Sequence, residues 1–560
     1  MLKKENKYIY LLLAIPFFSY IFLLNAPGYF DDIALFQNNH WLLSGPKPSW
    51  FHVLFLDGQQ SFAGYRPVLM QISQWNTQLL GANFFSWRLI NLFVHISNGI
   101  LLYYLICSFK VNRKHAFYMV LIFLLHPIQS IAVQFVWKRS TSFAVFFMFL
   151  GLCEYAYCRY HKYISALLQG TLFLLAFFCK EIAIIYPALL LSYALLNQKN
   201  LEKNITRQRV LFFLLFVCAA GLLWFRLDYI QGLLAPSLGK MTQNRVFNKD
   251  IYFLSSMRSV FHYVVWFFKP RPFLMNDPLP VTKLINGYTM FYITLILSSF
   301  LALLKKDVLP VAKFFIIGFW LSMLPHTSFY PMYNIEDQIR MYFAVASLAV
   351  LSLLTIDVAL KKWKSKISIE YMLVPFIIVL IALTSLQNIK YYSPQIIWSD
   401  IVEEYDQSDF AHSELGDIYF NQKQYAQSIE HYQKSLLIST KPYYRVKIAR
   451  SVWFKENNKQ DVYEVLKPLD YKQLNIEEFS DFLTLFIMME DYKRAQWLLG
   501  QVIHDFQNNE RLVYAAGKLY YAQKDYQKAD LFFKQVLKIN PQNMFAQQYL
   551  QQIKSQQSSQ

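Results

Sequence analysis

From residue 8 to residue 387 the chain is a succession of apolar runs, most of them near the roughly 20 residues that a helix needs to cross a bilayer. They lie at 8–24, 88–108, 116–134, 141–158, 163–179, 182–196, 210–225, 287–304, 309–324, 341–358 and 371–387. Such a series leaves little choice of fold. Helices apolar on every side belong in a bilayer, where each satisfies its own backbone hydrogen bonds. Composition agrees: 55% of the 560 residues are hydrophobic and 16% charged, against about a quarter charged in a soluble domain. The expectation for residues 1–390 is an all-α polytopic membrane bundle of eleven helices.

A net charge of +18 could suggest nucleic acid, but its distribution points elsewhere. Residues 1–390 hold 35 Lys+Arg against 15 Asp+Glu, whereas residues 391–560 hold 19 against 21. A basic excess confined to the apolar part is what cytoplasmic loops carry under the positive-inside rule, so no nucleic-acid partner is expected. Lys3, Lys4 and Lys7 precede the first run and no small-residue cleavage site follows it, which reads as a retained signal-anchor with its N-terminus inside. That parity places Lys110/Arg113/Lys114, Arg159/Lys162, the 199–209 cluster, Lys305/Lys306 and the 361–366 lysines in cytoplasmic connections. The run 251–268 is then an interfacial or re-entrant helix within one external segment, 226–286, because a further crossing would move the 361–366 lysines outside. The C-terminus is external. In a bacterium, which the Lys/Gln/Asn-rich style suggests, that means an inner-membrane protein with its C-terminal part in the periplasm. The five cysteines show no metal-ligand spacing and read as small buried apolar residues.

After a linker at 391–410 the composition becomes that of a soluble protein. "LGDIYFNQKQYAQSIEHYQKSL" (415–436) and "AGKLYYAQKDYQKADLFFKQVLKINP" (516–541) correspond position by position, with Gly416, Tyr419, Tyr425 and Tyr432 answered by Gly517, Tyr520, Tyr526 and Phe533. Tyr492 and Ala495 stand 34 residues before Tyr526 and Ala529, and a further, degenerate unit is due near 442–475. This is the period of tetratricopeptide repeats, so 411–550 is expected to form an α-solenoid of about four units whose groove binds a peptide or protein. The tail 551–560 is expected to be disordered.

The apolar half is poor in acids, and its only adjacent pairs are Asp31–Asp32 and Glu336–Asp337. Two carboxylates beside a helix end at membrane depth are costly. One of such a pair can serve as general base toward a hydroxyl while the other orients it or holds a metal, and an Asp cap on a surface helix is the plainer alternative. Cations suited to a phosphate fall in the same external segments: Arg66 before a proline, His126 and Lys138–Arg139 in one hairpin, Lys180 beside Glu181, and Arg340. Arg88, Asn91, His95 and Asn98 share one helix face.

In order, "FDD", "YRPVLM", "RLINLFVHISN", "LLHPIQSIAVQFVWKRS", "CKEIAIIYPALLL", an Arg-bearing segment and then the repeats resemble the transmembrane and tetratricopeptide-repeat O-mannosyltransferases and their bacterial relatives, of the GT-C class of membrane glycosyltransferases. The resemblance runs from about residue 8 to about 350 and continues through the repeats to about 545. It implies a polyprenyl-phosphate-linked sugar as donor, a hydroxyl acceptor on an extracytoplasmic protein, inversion at the anomeric carbon, and an acid in the first external loop as base. That role carries to Asp31 with Asp32 in support, as ligands too if a divalent metal takes part. Arg139 and Arg340, with Arg66, His126 and Lys180, would face the lipid phosphate, and Arg88, Asn91, His95, Glu181, Glu336 and Asp337 would support them. The chain departs from the pattern at Lys138, where relatives carry a small residue, and at "DQIRMYFAVAS", where Asp337 is one turn from Arg340 and the proline is missing. No glycine loop for a nucleotide sugar is present, which fits a lipid-linked donor. A GT-C enzyme with a saccharide or glycolipid acceptor, and a non-enzymatic scaffold built on the repeats, remain the alternatives.

Overall fold

The computed structural model describes residues 2–28, 32, 66–157, 162–197, 221, 249–270, 284–327, 336–363, 369–502, 509–540 and 543–557. Asp31, most of the first loop and, apart from Gly221, the run 210–225 lie outside the described residues. No strand occurs among those described. The chain divides into two compact units, Met1–Ile397 and Trp398–Gln560.

The first unit contains α1 (Leu2–Tyr20), α2 (Pro67–Leu80), α3 (Phe84–Ser108), α4 (Arg113–Leu125), a short α5 (Ser130–Gln134), α6 (Arg139–Tyr157), α7 (Lys162–Phe177), α8 (Tyr186–Leu196), α9 (Lys249–Phe268), α10 (Gly287–Leu304), α11 (Pro310–Met323), α12 (Met341–Lys362) and α13 (Ile369–Lys390). At its centre is α4, buried from Ala116 to Leu125 except at Tyr118, and packed by α1, α3, α12 and α13. Gly99 of α3 lets Leu124 of α4 approach closely: a Cβ there would come within 2.6 Å of the leucine side chain. Asn83 starts α3 by accepting the Ser86 backbone N–H at 2.8 Å, an N-cap of ordinary kind.

Five helices are long and apolar enough to cross a membrane: Phe84–Ser108, Arg139–Tyr157, Gly287–Leu304, Gln338–Lys362 and Tyr371–Lys390. A sixth arises if the bent pair Arg113–Leu125 and Pro127–Gln134 counts as one span. Other apolar helices, at Lys7–Tyr20, Ile164–Phe177, Glu181–Leu196 and Pro310–Met323, are shorter. The run read from sequence as one helix at 116–134 is in fact broken by 53°. Pro127 has no N–H to continue the α-helix, and the chain turns through a 3₁₀ segment, Pro127–Gln129, before α5. The run 251–268 forms α9, which does not qualify as a span.

The boundary between the units falls within α14 (Pro394–Glu404). The second unit continues as antiparallel pairs: α15 (Asp409–Asn421) with α16 (Tyr425–Ile438), α17 (Tyr443–Glu456) with α18 (Lys459–Leu466), α19 (Ile476–Met488) with α20 (Tyr492–Val502), and α21 (Glu510–Ala522) with α22 (Tyr526–Ile539), followed by α23 (Met544–Gln557). Each pair turns on a non-glycine residue in the left-handed region: Lys423, Asn457, Glu490 and Lys524. Their regular placement, every 33 or 34 residues, makes the degenerate second pair part of the series. The sequence glycines mark the crossings. Gly416 abuts the Tyr432 ring, and a Cβ on Gly517 would lie 2.7 Å from Phe533.

Candidate functional site

The polar face of α3 organises one end of the first unit. Arg88 is fully buried and donates to the carbonyls of Leu24, Ala26, Pro27 and Gln134, tying the chain that leaves α1 to the turn before α6. Asn91 donates to the Val133 carbonyl at 3.2 Å. His95 joins Tyr342 Oη (2.8 Å) to the Leu124 carbonyl (3.1 Å), and Asn98 donates to Tyr342 Oη and the Ser142 carbonyl, both at 2.9 Å. These bonds run between helices, so the face expected to support the site is a scaffold. It holds the broken segment 124–142, whose bend frees backbone groups that need partners.

Beside this scaffold the sequence-predicted residues come together. Asp32 is buried, and its carboxylate accepts the backbone N–H groups of Val136 (3.1 Å) and Trp137 (2.8 Å). Each Asp32 oxygen accepts one backbone N–H, which makes the carboxylate a clamp on the 136–137 turn; Asp31 lies outside the described residues. Among the described residues no three His, Cys, Asp or Glu side chains gather as metal ligands.

Arg139, at the start of α6, is buried between the rings of Trp87 (4.8 Å) and Phe143 (5.1 Å). Its Nη2 donates to Asn76 Oδ1 at 3.3 Å, while buried Nε and Nη1 find no acceptor among the described residues. Asp32 bears on its charge electrostatically. Arg66 directly precedes α2 and pairs with Glu181 at 3.3 Å. Lys138, the departure from the family pattern, pairs with Asp337 at 2.6 Å. Lys180 donates to Thr141 Oγ1 at 2.6 Å and interacts with Arg66, Lys138, Asp337 and Glu181. Burial first, then Arg66 and Lys138, pull its ammonium down to about 7 against the two carboxylates. Burial pushes the Asp337 carboxyl up, but Lys138 and Arg340 outweigh it and hold it at about 2. Arg340, buried at the end of the 3₁₀ turn Gln338–Arg340, completes the group. Five cations (Arg66, Lys138, Arg139, Lys180, Arg340) thus share one neighbourhood with three carboxylates (Asp32, Glu181, Asp337) among the described residues. The surplus suits a bound anion.

Two residues are placed otherwise than expected. His126, assigned toward the phosphate, has both ring nitrogens engaged by backbone: Nε2 with the Phe267 carbonyl at 2.9 Å and Nδ1 with the Ile128 N–H at 3.3 Å. Its ring stacks on Phe267 at 5.0 Å, so it pins α9 to the bend. Glu336 stands apart from the cation group, buried against Arg258 (3.3 Å) and His262 (2.9 Å) of α9. Neither partner was singled out from the sequence. The available signal was an Arg and a His at i and i+4 within the largely apolar run 251–268. Asn76, Thr141 and Tyr263, whose hydroxyl accepts the Asp337 N–H at 3.0 Å, were also missed.

In the second unit a polar cluster centres on Asp417, which accepts from Tyr432 Oη (2.6 Å), Arg450 (3.3 Å) and Lys447. Glu414, near Asp417 and partly buried, is pushed up to about 7 by burial and by that neighbouring charge. A search of curated proteins finds no match to this chain. Family models described as tetratricopeptide repeat match residues 409–441 and 486–553. The C-terminal part of the chain carries tetratricopeptide repeats.

Proposed function

We propose that the chain is a GT-C-type membrane glycosyltransferase that moves a sugar from a polyprenyl-phosphate donor to a hydroxyl of an extracytoplasmic protein, with the repeats recruiting that protein. The observation that carries the reading is Arg139: a buried guanidinium with two donor nitrogens unmatched by any described residue, inside a group where cations outnumber carboxylates. A buried charge left so is costly unless something pairs with it. A phosphate does so with the right geometry, because guanidinium offers parallel N–H donors to two oxygens.

In this reading Arg139, Lys180, Arg66 and Arg340 hold the lipid phosphate and stabilise the charge that grows on it as the bond to the anomeric carbon breaks. Lys138 and Asp337 neutralise each other and fix the segment before α12. Arg88 ties the chain that leaves α1 to Gln134 and Asp32 binds the 136–137 backbone, while the resemblance assigns the acceptor's proton to Asp31. The eleven-helix topology, with this end of the bundle outside, belongs to the same proposal. The repeats support a protein partner, and a protein acceptor is the simplest occupant of their groove.

The test is transfer by the purified full chain in lipid nanodiscs, supplied with a radiolabelled polyprenyl-phosphate mannose and envelope proteins from cells lacking the chain. Label should pass to protein in the wild type and fall at least about 100-fold in Arg139→Gln, a loss of the size expected for a transition-state charge contact. Label transferred equally well by Arg139→Gln would remove the basis of the reading.

A further inference from the structure

Away from the cation group, α9 presents a second arrangement with chemistry of its own. Glu336 is fully buried, and its carboxylate is held from two directions: Arg258 Nε at 3.3 Å, and His262 Nδ1 at 2.9 Å from one oxygen and 3.0 Å from the other. Both oxygens face Nδ1, so that nitrogen carries the proton and donates it. Nε2 is then the ring's lone-pair nitrogen, and among the described residues nothing hydrogen-bonds to it. Whereas His126 and His95 spend both nitrogens on the scaffold, His262 spends one. The ring is fixed by Trp266, stacked at 5.9 Å, and by Tyr288 of α10, edge-on at 5.6 Å, yet its side chain keeps 17% exposure.

We propose that His262 is a proton-accepting catalytic residue for a hydroxyl substrate, with Glu336 as its positioning residue and Arg258 locking Glu336. The inference rests on the transferase reading and offers a base other than Asp31. In the step, the acceptor O–H bond breaks and its proton passes to Nε2. The oxygen forms a bond to the anomeric carbon, and the sugar–phosphate bond breaks with its electron pair leaving on the lipid phosphate. A buried carboxylate on Nδ1 fixes the tautomer and stabilises the imidazolium that forms in the step. The position suits the step. Glu336 is followed directly by Asp337, which Lys138 and Lys180 face, and Tyr263, next to His262, bonds both the N–H and the carbonyl of Asp337. The dyad and the anion-binding group therefore flank one two-residue segment.

The titratable and charged groups shown facing His262 are Glu336 before α12 and Tyr288 of α10, with Arg258 of α9 also bound to Glu336. The experiment is the nanodisc transfer assay run from pH 5 to 9 on wild type, Asp31→Asn, His262→Gln and Glu336→Gln, with donor binding measured in parallel. In the wild type, kcat should fall on the acid side as His262 protonates. His262→Gln should lose about 10²–10⁴-fold in kcat with donor binding kept, and the residual rate should lack the acid limb. Glu336→Gln should move that limb to lower pH, since the carboxylate no longer favours the imidazolium. His262→Gln with more than a tenth of wild-type kcat and an unchanged acid limb overturns the inference and leaves Asp31 as base. If His262→Gln loses donor binding, Glu336→Gln decides: a shifted limb supports the dyad and an unshifted one overturns it. Absence of transfer by the wild type would overturn the transferase reading itself, and the inference with it.

Discussion

Replacing Asp32 by asparagine separates a structural carboxylate from a chemical one. The Asp32 side chain is buried, and each oxygen accepts one backbone N–H, from Val136 at 3.1 Å and from Trp137 at 2.8 Å. An asparagine keeps one acceptor but turns an NH₂ toward the other N–H, so one buried backbone donor loses its partner. Leaving such a group unsatisfied costs about 1–3 kcal/mol, and the remaining bond loses its charge assistance. Together the change should destabilise the first unit by about 2–4 kcal/mol, and Asp32→Ala, which removes both bonds, by more. Apparent Tm of the full chain in nanodiscs, followed by intrinsic tryptophan fluorescence, reads the loss. Trp87 and Trp137, near the clamp, are two of the chain's 12 tryptophans that contribute to that signal. Transfer measured well below the transition should fall less than stability does. Wild-type Tm in Asp32→Asn, with activity abolished, would refute the clamp and return Asp32 to the chemistry.

Asp31→Asn should behave in the opposite way if the first-loop acid is the base, with wild-type Tm and transfer down about 10²–10⁴-fold in the nanodisc assay. Lys180, with its ammonium at about 7, should weaken donor binding as pH rises past neutrality, because the cation facing the phosphate is lost. Lys180→Arg, charged throughout, should flatten the KM–pH curve for the donor. In the repeats, Glu414 holds its proton in the fold between about 4.5 and about 7, where the unfolded chain releases it, so its contribution to stability is lost as pH rises through that window. Glu414→Gln should therefore strengthen the fold by about 1–2 kcal/mol at pH 7.5, discounted for partial exposure, and leave it little changed at pH 4.5. Amide exchange along α15 in the full chain reads the difference.

How much of this could be read beforehand depends on where each residue's partner lies. The helices of the first unit follow from apolar runs because a helix satisfies its backbone locally. Arg88, Asn91 and His95 were visible as one polar face, but their partners are mainly backbone carbonyls, which every residue carries and no side-chain pattern reveals. The bend at His126–Pro127 was written in the proline, yet the surrounding apolar residues made a continuous run look like one helix. Glu336 was legible as an acid. Its partners Arg258 and His262 were not, since 78 and 74 residues separate the pairs. In the repeats, the glycines betray the crossings because only they admit the facing ring, whereas the inter-helix turns use Lys423, Asn457, Glu490 and Lys524, where glycine would have been the recognisable signal.

The central claim is that this chain transfers sugar from a lipid phosphate to extracytoplasmic protein. Mass spectrometry of envelope proteins from cells lacking the chain, compared with the same cells carrying wild type or Arg139→Gln, tests it directly. The account predicts peptides that carry a sugar on a hydroxyl side chain only when the wild-type chain is present, with the unmodified peptides recovered in the other two samples. Identical glycopeptide profiles in all three would contradict it, and would leave the tetratricopeptide repeats on a membrane scaffold.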